Sequence, residues 1–195
     1  MNEFEVIEEH FIAHLQNIQE MSAESAEALR SLIKIHSYSN KTTLQEVESR
    51  CQTLYFIYNG AARIFYYKDD KDITEYFALS NSFIIRAESL FTGNSTSKGI
   101  EIVLPSIVIS ISSHPFFQLF EQHSDLERLF NALIRNSYLE TLHRLEQIQF
   151  HNARERYLGL LNSSAEIVQN IPLKYIASYL GISQVSLSRI RSDLK

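Results

Sequence analysis

Apolar residues near the start of the chain recur at steps of three and four. Phe4, Ile7, Phe11, Leu15 and Ile18 form one stripe, which predicts an amphipathic helix over residues 2–18. Ser22 offers an N-cap with Glu24 in the turn behind it, and predicts a second helical stretch through Leu29, Leu32 and Ile33. From about Thr42 to Ser113 the period changes. TLYFIYNG, AARIFYYKDD and DITEYFAL are short, rich in β-branched and aromatic residues, and punctuated by Asn59-Gly60 and Asp69-Asp70. GIEIVL and SIVISIS follow on either side of Pro105. Short strands with regular turns predict a β-sandwich or barrel. Asn59-Gly60 between two apolar runs predicts a tight hairpin.

After His114-Pro115 the pattern is helical again, with Phe116, Phe117 and Phe120 in a short helix. From Asp125 to about Phe150 there is neither Gly nor Pro. Leu126, Phe130, Leu133, Ile134, Leu142, Leu145 and Ile148 recur at helical spacing, interrupted by Ser137 and Thr141. A helix this long is either a connector or interface helix, or one packed on its own domain. Residues 152–195 read as a compact helical unit. Ala153, Tyr157, Leu160 and Leu161 mark its first helix, Asn162-Ser163-Ser164 a turn, and Ser163 or Ser164 the cap of a short helix before Pro172.

LKYIASYLGISQVSLSRIR, residues 173–191, has the spacing of a helix-turn-helix. Ala177 is small where the second helix crosses closely. Gly181 supplies the positive φ that ends the first helix, and Ser183 caps the second. Ile176, Leu180, Ile182, Leu187 and Ile190 fill the angle between them. Gln184, Val185, Ser188, Arg189 and Ser192 are left on the outer face. Gln and Arg pair bidentately with base edges, and Val185 suits a thymine methyl, so Gln184, Val185, Ser188 and Arg189 are the candidate base readers. Lys174, Ser183, Ser186 and Arg191 are the candidate phosphate contacts. The alternative is an ordinary helical hairpin with a glycine turn.

Charge supports the first reading. The 195 residues carry a formal −5, but residues 151–195 hold six basic against three acidic side chains, which leaves −8 on the first 150. At 45% hydrophobic and 21% charged residues, the composition is globular and fits one or two domains. The single cysteine, Cys51, excludes an internal disulfide and any four-cysteine metal site, and fits a reducing compartment. No apolar run approaches membrane-spanning length, and the start MNEFEVIEEHF is acidic where a secretory signal is basic. A soluble, cytoplasmic protein without a membrane partner is expected. His10 and His14 stand four apart, but Phe11 occupies the position of a metalloprotease glutamate, so no metal site is expected. No GxSxG, P-loop or GxGxxG occurs, and no enzyme is expected.

TLYFIYNGAARIFYY, the AESLF stretch, the long helix and the terminal helix-turn-helix, in that order, resemble the CRP/FNR family of bacterial transcription regulators. The resemblance covers nearly the whole chain. It implies an α+β fold: an N-terminal β-roll (a double-stranded β-helix of the cyclic-nucleotide-binding type) with flanking helices, a long dimerisation helix, and a winged-helix-like DNA-binding domain. The implied domains are a sensor over 1–123, the dimerisation helix over 124–150 with Leu126, Phe130, Leu133, Ile134, Leu142 and Leu145 facing a second copy, and the helix-turn-helix unit over 151–195. Double-stranded DNA, a second copy of the chain and RNA polymerase are the implied partners, with an unknown small-molecule effector.

Departures from the family's pattern refine these expectations. The family's Gly-Glu pair is Ala87-Glu88 here, and its Arg-Ser/Thr-Ala triplet is Ser97-Lys98-Gly99. Ala87, Glu88, Ser89, Ser97 and Lys98 therefore mark the expected effector pocket. Without the arginine a cyclic phosphate loses its bidentate partner, so no cAMP and no other cofactor is expected. Lys98 is expected to point away from the pocket. Glu88 alternatively pairs with Arg86 or caps a local turn. Gln184 and Val185 replace the family's Arg-Glu at the head of the recognition helix while Arg189 matches its later arginine, so a different operator is expected. With Lys195 the last residue after the recognition helix, a unit lacking most of the usual β-hairpin wing is expected. The competing reading is a ligand-sensing or protein-interaction module whose helical tail does not bind DNA.

Overall fold

The computed structural model describes residues 2–194, the side chain of Glu166 excepted. Helix α1 (Glu3–Ile18) opens with a reciprocal cap: the Asn2 side chain accepts the Glu5 N–H at 2.9 Å, and the Glu5 carboxylate accepts the Asn2 N–H at 2.8 Å. It buries Ile7, Phe11, Ile12 and Leu15, whereas Phe4 stays exposed because the helix meets the core only from Ile7 onward. Helix α2 (Ala23–Arg30) is capped by Ser22 as expected, but ends at Arg30. Ile33 is already the first residue of strand β1 (Ile33–Tyr38), which pairs antiparallel from Ile33↔Ile111 to Tyr38↔Ser106. A strand partner far along the chain overrides the local helical spacing, and the β region begins before Thr42.

Strands β2 (Thr43–Gln45), β3 (Ser49–Arg50), β4 (Thr53–Lys68), β5 (Lys71–Leu79), β6 (Ser82–Ile84), β7 (Ser95–Thr96) and β8 (Lys98–Ser112) complete the roll. The main sheet runs β1-β8-β4-β5, with β2 on β8 and β6 on β4; β3 and β7 form a second, two-stranded sheet. Two punctuation marks prove to lie inside long strands. β4 continues through Asn59-Gly60 and β8 through Pro105, and the two strands pair with each other across both. The register shifts repeatedly between Ile57 and Ala62, so this is a bulged corner rather than the expected hairpin. Gly60 has φ +103°, and a Cβ on it would stand 2.5 Å from the Pro105 carbonyl oxygen. Pro105, lacking an N–H, is tolerated where the ladder is already broken. The tight turn is Asp69-Asp70, with φ +50° and +57°, joining β4 to β5.

Helices α3 (Ala87–Thr92) and α4 (Ser113–Gln118) flank the roll, and α5 (Ser124–Phe150) leaves it. The first turns of α5 bury Leu126, Leu129, Phe130 and Ala132; Phe130 packs 5.2 Å from the Phe117 ring. Leu126 and Phe130, expected to face a second copy, thus belong to the chain's own core. Leu133 and Ile134 pack half-buried on the same cluster. Beyond them Tyr138, Leu139, Leu142, Leu145, Ile148 and Phe150 are exposed. The C-terminal unit is α6 (Ala153–Ser163), α7 (Ala165–Asn170), α8 (Leu173–Tyr179) and α9 (Gln184–Ser192). α6 runs on through the expected turn at Asn162-Ser163, and Ser164 alone separates it from α7 without a side-chain cap bond.

One core cluster lies under α1, α2 and the start of α5, around Phe11, Phe56 and Leu129. A second fills the roll, around Ile57, Ile84, Ile100 and Val108. The third joins Ala61, Phe77 and Val103 of the roll to Tyr157, Ile176, Leu180 and Leu187 of the C-terminal unit. The two units therefore share apolar burial, at about 1.5–3 kcal/mol for each large side chain fully removed from water. Among the described residues no helix is long and apolar enough to cross a membrane.

Candidate nucleic-acid interface

α8 ends where Gly181 turns to φ +68°. Its N–H reaches the Ser178 carbonyl at 3.0 Å, and the Ile182 N–H reaches the Ala177 carbonyl at 3.0 Å. Ser183 then caps α9, its hydroxyl accepting the Ser186 N–H at 3.1 Å. Leu187, Ile176, Ala177 and Leu180 are buried in the angle. What faces water on α9 is Gln184, Val185, Ser186, Ser188, Arg189 and Ser192, with Val185 63% exposed. The four candidate base readers thus share one open surface.

Among the candidate phosphate contacts, Lys174 is exposed at the head of α8, with its ammonium 4.5 Å from the Tyr175 ring. Ser183 and Ser186 share a hydroxyl–hydroxyl bond of 2.9 Å. Arg191 is half-buried, and with Arg189 it occupies the last turn of α9, where a cation complements the helix dipole. A groove of about 340 Å³ runs between this face and the β4–β5 hairpin, lined among others by Lys71, Lys174, Ser183 and Gln184.

Three arginines hold the unit in place, and no spacing in the sequence marks them. Arg144 of α5 donates to the Tyr179 carbonyl at 2.9 Å and lies 3.7 Å over the Tyr179 ring. Arg156 of α6 donates to the Leu180 carbonyl through Nε at 3.2 Å and Nη2 at 3.0 Å. Both satisfy carbonyls that the end of α8 leaves without helical partners. Arg63 of β4 is the third; its side chain is 2% exposed. Nε donates to Glu101 at 2.8 Å, Nη2 to Asp72 at 2.8 Å, and Nη1 to the Thr74 hydroxyl at 3.0 Å and to Asp72. Its guanidinium stands 3.7 Å from the centroid of Tyr175. Burial works against the charge, but the carboxylates of Asp72 and then Glu101 outweigh it and raise the arginine's pKa.

The expected effector residues are brought together only in part. Ala87 opens α3 and Glu88 is exposed in its first turn. Ser89 is buried and committed: its hydroxyl accepts the Cys51 N–H at 2.7 Å and donates to the Asn94 carbonyl at 2.6 Å. Ser97 is exposed between β7 and β8. Lys98 pairs with Glu75 at 2.6 Å, a carboxylate that the sequence reading had not singled out. Arg86, the alternative partner expected for Glu88, is buried 3.8 Å from the same Glu75, so its ion-pair partner is Glu75 rather than Glu88. Its Nε has no hydrogen-bond partner among the described residues, and burial lowers its pKa despite nearby carboxylates. His10 packs against Tyr58 and His14 against Phe56, both at 5.2 Å between ring centroids.

No family model matches the sequence, and no curated protein matches it. Solved structures do. FixK2 of Bradyrhizobium japonicum superposes with a TM-score of 0.72 at 16% identity, covering 83% of this chain and 84% of its own. A CRP/FNR-family protein from Eubacterium rectale gives 0.70 at 15% identity, over 88% of this chain and 82% of its own. CLP of Xanthomonas campestris, a regulator responsive to c-di-GMP, gives 0.68 at 19% identity, over 89% and 91%. The chain therefore has the CRP/FNR fold: an α+β molecule with a β-roll, a long following helix and a C-terminal helix-turn-helix, as the sequence led one to expect.

Proposed function

We propose that this chain is a homodimeric, sequence-specific DNA-binding transcription regulator. The observation that carries this reading is the outer face of α9, where Gln184, Val185, Ser188 and Arg189 stand exposed on a helix locked from below by Leu187. Amide and guanidinium groups on such a rod suit adenine and guanine edges in the major groove. The exposed apolar stripe on the second half of α5, with Leu142 and Leu145, is the seat for the second copy. A dimer would then set two α9 helices about 34 Å apart on successive major grooves of a roughly palindromic site. RNA polymerase is the further partner in this reading.

The same reading assigns no cAMP response. Ser97 stands where the family has its arginine, the neighbouring Lys98 is tied to Glu75, and the nearby Ser89 hydroxyl is already used on both sides. Selection of bound DNA from a random pool tests the proposal, repeated with cAMP and with c-di-GMP. A palindromic site should emerge, and log affinity should fall steeply with log salt as phosphate counterions are released. cAMP should leave the melting temperature unchanged. A flat salt response and no enriched sequence would instead favour a ligand-sensing or protein-interaction module.

A further inference from the structure

β5 is the outer strand of the main sheet, and the β-roll leaves its far edge to be covered by another element. α8 covers it. The Thr74 N–H donates to the Ser178 hydroxyl at 2.8 Å, and that hydroxyl donates to the Asp72 carbonyl at 3.3 Å. One side chain of the helix-turn-helix thus completes two backbone groups of the sensor's edge. One turn earlier on α8, Tyr175 lays its ring on Arg63. Arg63 already holds Asp72 and Glu101, so the cation, both carboxylates, the edge strand and α8 form one connected cluster. A guanidinium this buried is tolerated only while its partners stay in place, because removing one leaves an uncompensated buried charge. Two carboxylates would satisfy an arginine serving the β4–β5 hairpin alone. Of the two aromatic rings it lies over, Phe65 at 4.7 Å belongs to β4 itself, but the nearer, Tyr175 at 3.7 Å, comes from the C-terminal unit.

We propose that Arg63 is a positioning residue: through Tyr175 and the Ser178-covered edge of β5, it fixes the orientation of the helix-turn-helix on the β-roll. It thereby governs DNA affinity without touching DNA. The first half of this statement stands on geometry alone; the second rests on the DNA-binding reading above.

Amide hydrogen exchange on the full chain separates the two halves. Arg63→Met removes the cation, and Ser178→Ala removes the edge contact from a half-buried site that tolerates a small side chain. Each should speed exchange by at least about tenfold in both Lys71–Leu79 and Leu173–Tyr179, while β1 and β8 amides hold their protection. Each should also weaken binding to a pool-selected DNA site by about tenfold or more. Faster exchange confined to the β4–β5 hairpin, with Leu173–Tyr179 unchanged in both variants, overturns the proposal. So does a loosened α8 with unaltered DNA affinity. Should Arg63→Met fail to fold by circular dichroism, Ser178→Ala decides by the same criteria. A parent protein that binds no DNA, with α8 loosened in the variants, counts against the function reading and leaves the positioning role standing.

Discussion

The carboxylate of Asp125 accepts the backbone N–H of Ser22 at 2.8 Å, across more than a hundred residues of chain. It also accepts the Ser25 hydroxyl at 2.6 Å and the Leu126 N–H at 3.0 Å. One side chain therefore serves the first turn of α5 and the capped start of α2 together. Burial opposes its charge, but the donors from Ser22, Ser25 and Leu126 outweigh it and hold its pKa at about 2. A carboxyl depressed below its unfolded value of roughly 3.9 stabilises the fold fully above that value. The contribution is lost as pH falls from there through about 2. Asp125→Asn should cost about 1–2 kcal/mol at neutral pH and flatten the acid limb of stability. Urea unfolding at a series of pH values measures both. Coincident acid limbs for parent and variant would show that Asp125 does not carry this dependence.

Gly60→Ala should destabilise more than the same change at Gly93 or Gly181, which have positive φ but open surroundings. Gly60 has φ +103° and would place a Cβ 2.8 Å from Ser106 Cα as well as against the Pro105 carbonyl. Backbone strain and overlap together should cost roughly 2–4 kcal/mol. Gly93 shares the positive φ but has nothing within 4 Å of that Cβ, so Gly93→Ala should cost only about 1 kcal/mol. Denaturant midpoints of the two variants make the comparison.

This corner also marks where the sequence could be read and where it could not. The stripe of α1, the Ser22 cap, the long α5 and the Gly181 turn are local patterns, and local hydrogen bonding realises them. The strand boundaries were misread because Asn59-Gly60 and Pro105 look like chain breaks in isolation. They face each other across β4 and β8, and each irregularity accommodates the other. β1 was missed for the same reason, since its partner lies at the far end of β8. The outer face of α9 was legible as a helical face. Arg63, Arg144 and Arg156 were not, nor was Glu75 as the partner of Arg86, because these contacts join different elements and no spacing announces them.

The two ends of α5 should respond oppositely to charge. Leu142 and Leu145 lie exposed on the half that leaves the roll, so Leu142→Glu with Leu145→Glu should leave the monomer folded. It should abolish the proposed dimer, because two like-charged stripes repel and bury no apolar area. Sedimentation velocity would then show the mass of one chain with an unchanged circular dichroism spectrum. Leu126→Glu should instead unfold the core under the β-roll, since that side chain is fully buried there. A double variant that still dimerises would place the interface elsewhere.

Arg189 and Lys174 should separate in what they do to DNA binding. Arg189 projects from the open face of α9, where a fork of donors can meet guanine, whereas Lys174 sits at the head of α8 as a point charge. Arg189→Ala should cost about 1–3 kcal/mol on the preferred site and relax base preference at one position. Part of that loss could come from the helix itself, because Arg189 lies in the last turn and a cation there is worth about 0.3–1 kcal/mol to the dipole. Arg189→Lys removes the ambiguity, since it keeps the charge and loses only the bidentate geometry. It should relax specificity nearly as much as Ala while leaving the salt slope almost unchanged. Lys174→Ala should do the reverse, weakening all sequences alike and lowering the slope of log affinity against log salt by about one. Binding titrations at several salt concentrations, on the selected site and on single-base variants, distinguish the two patterns. If Arg189→Lys retains full base preference, then Gln184, Val185 and Ser188 read the site without it.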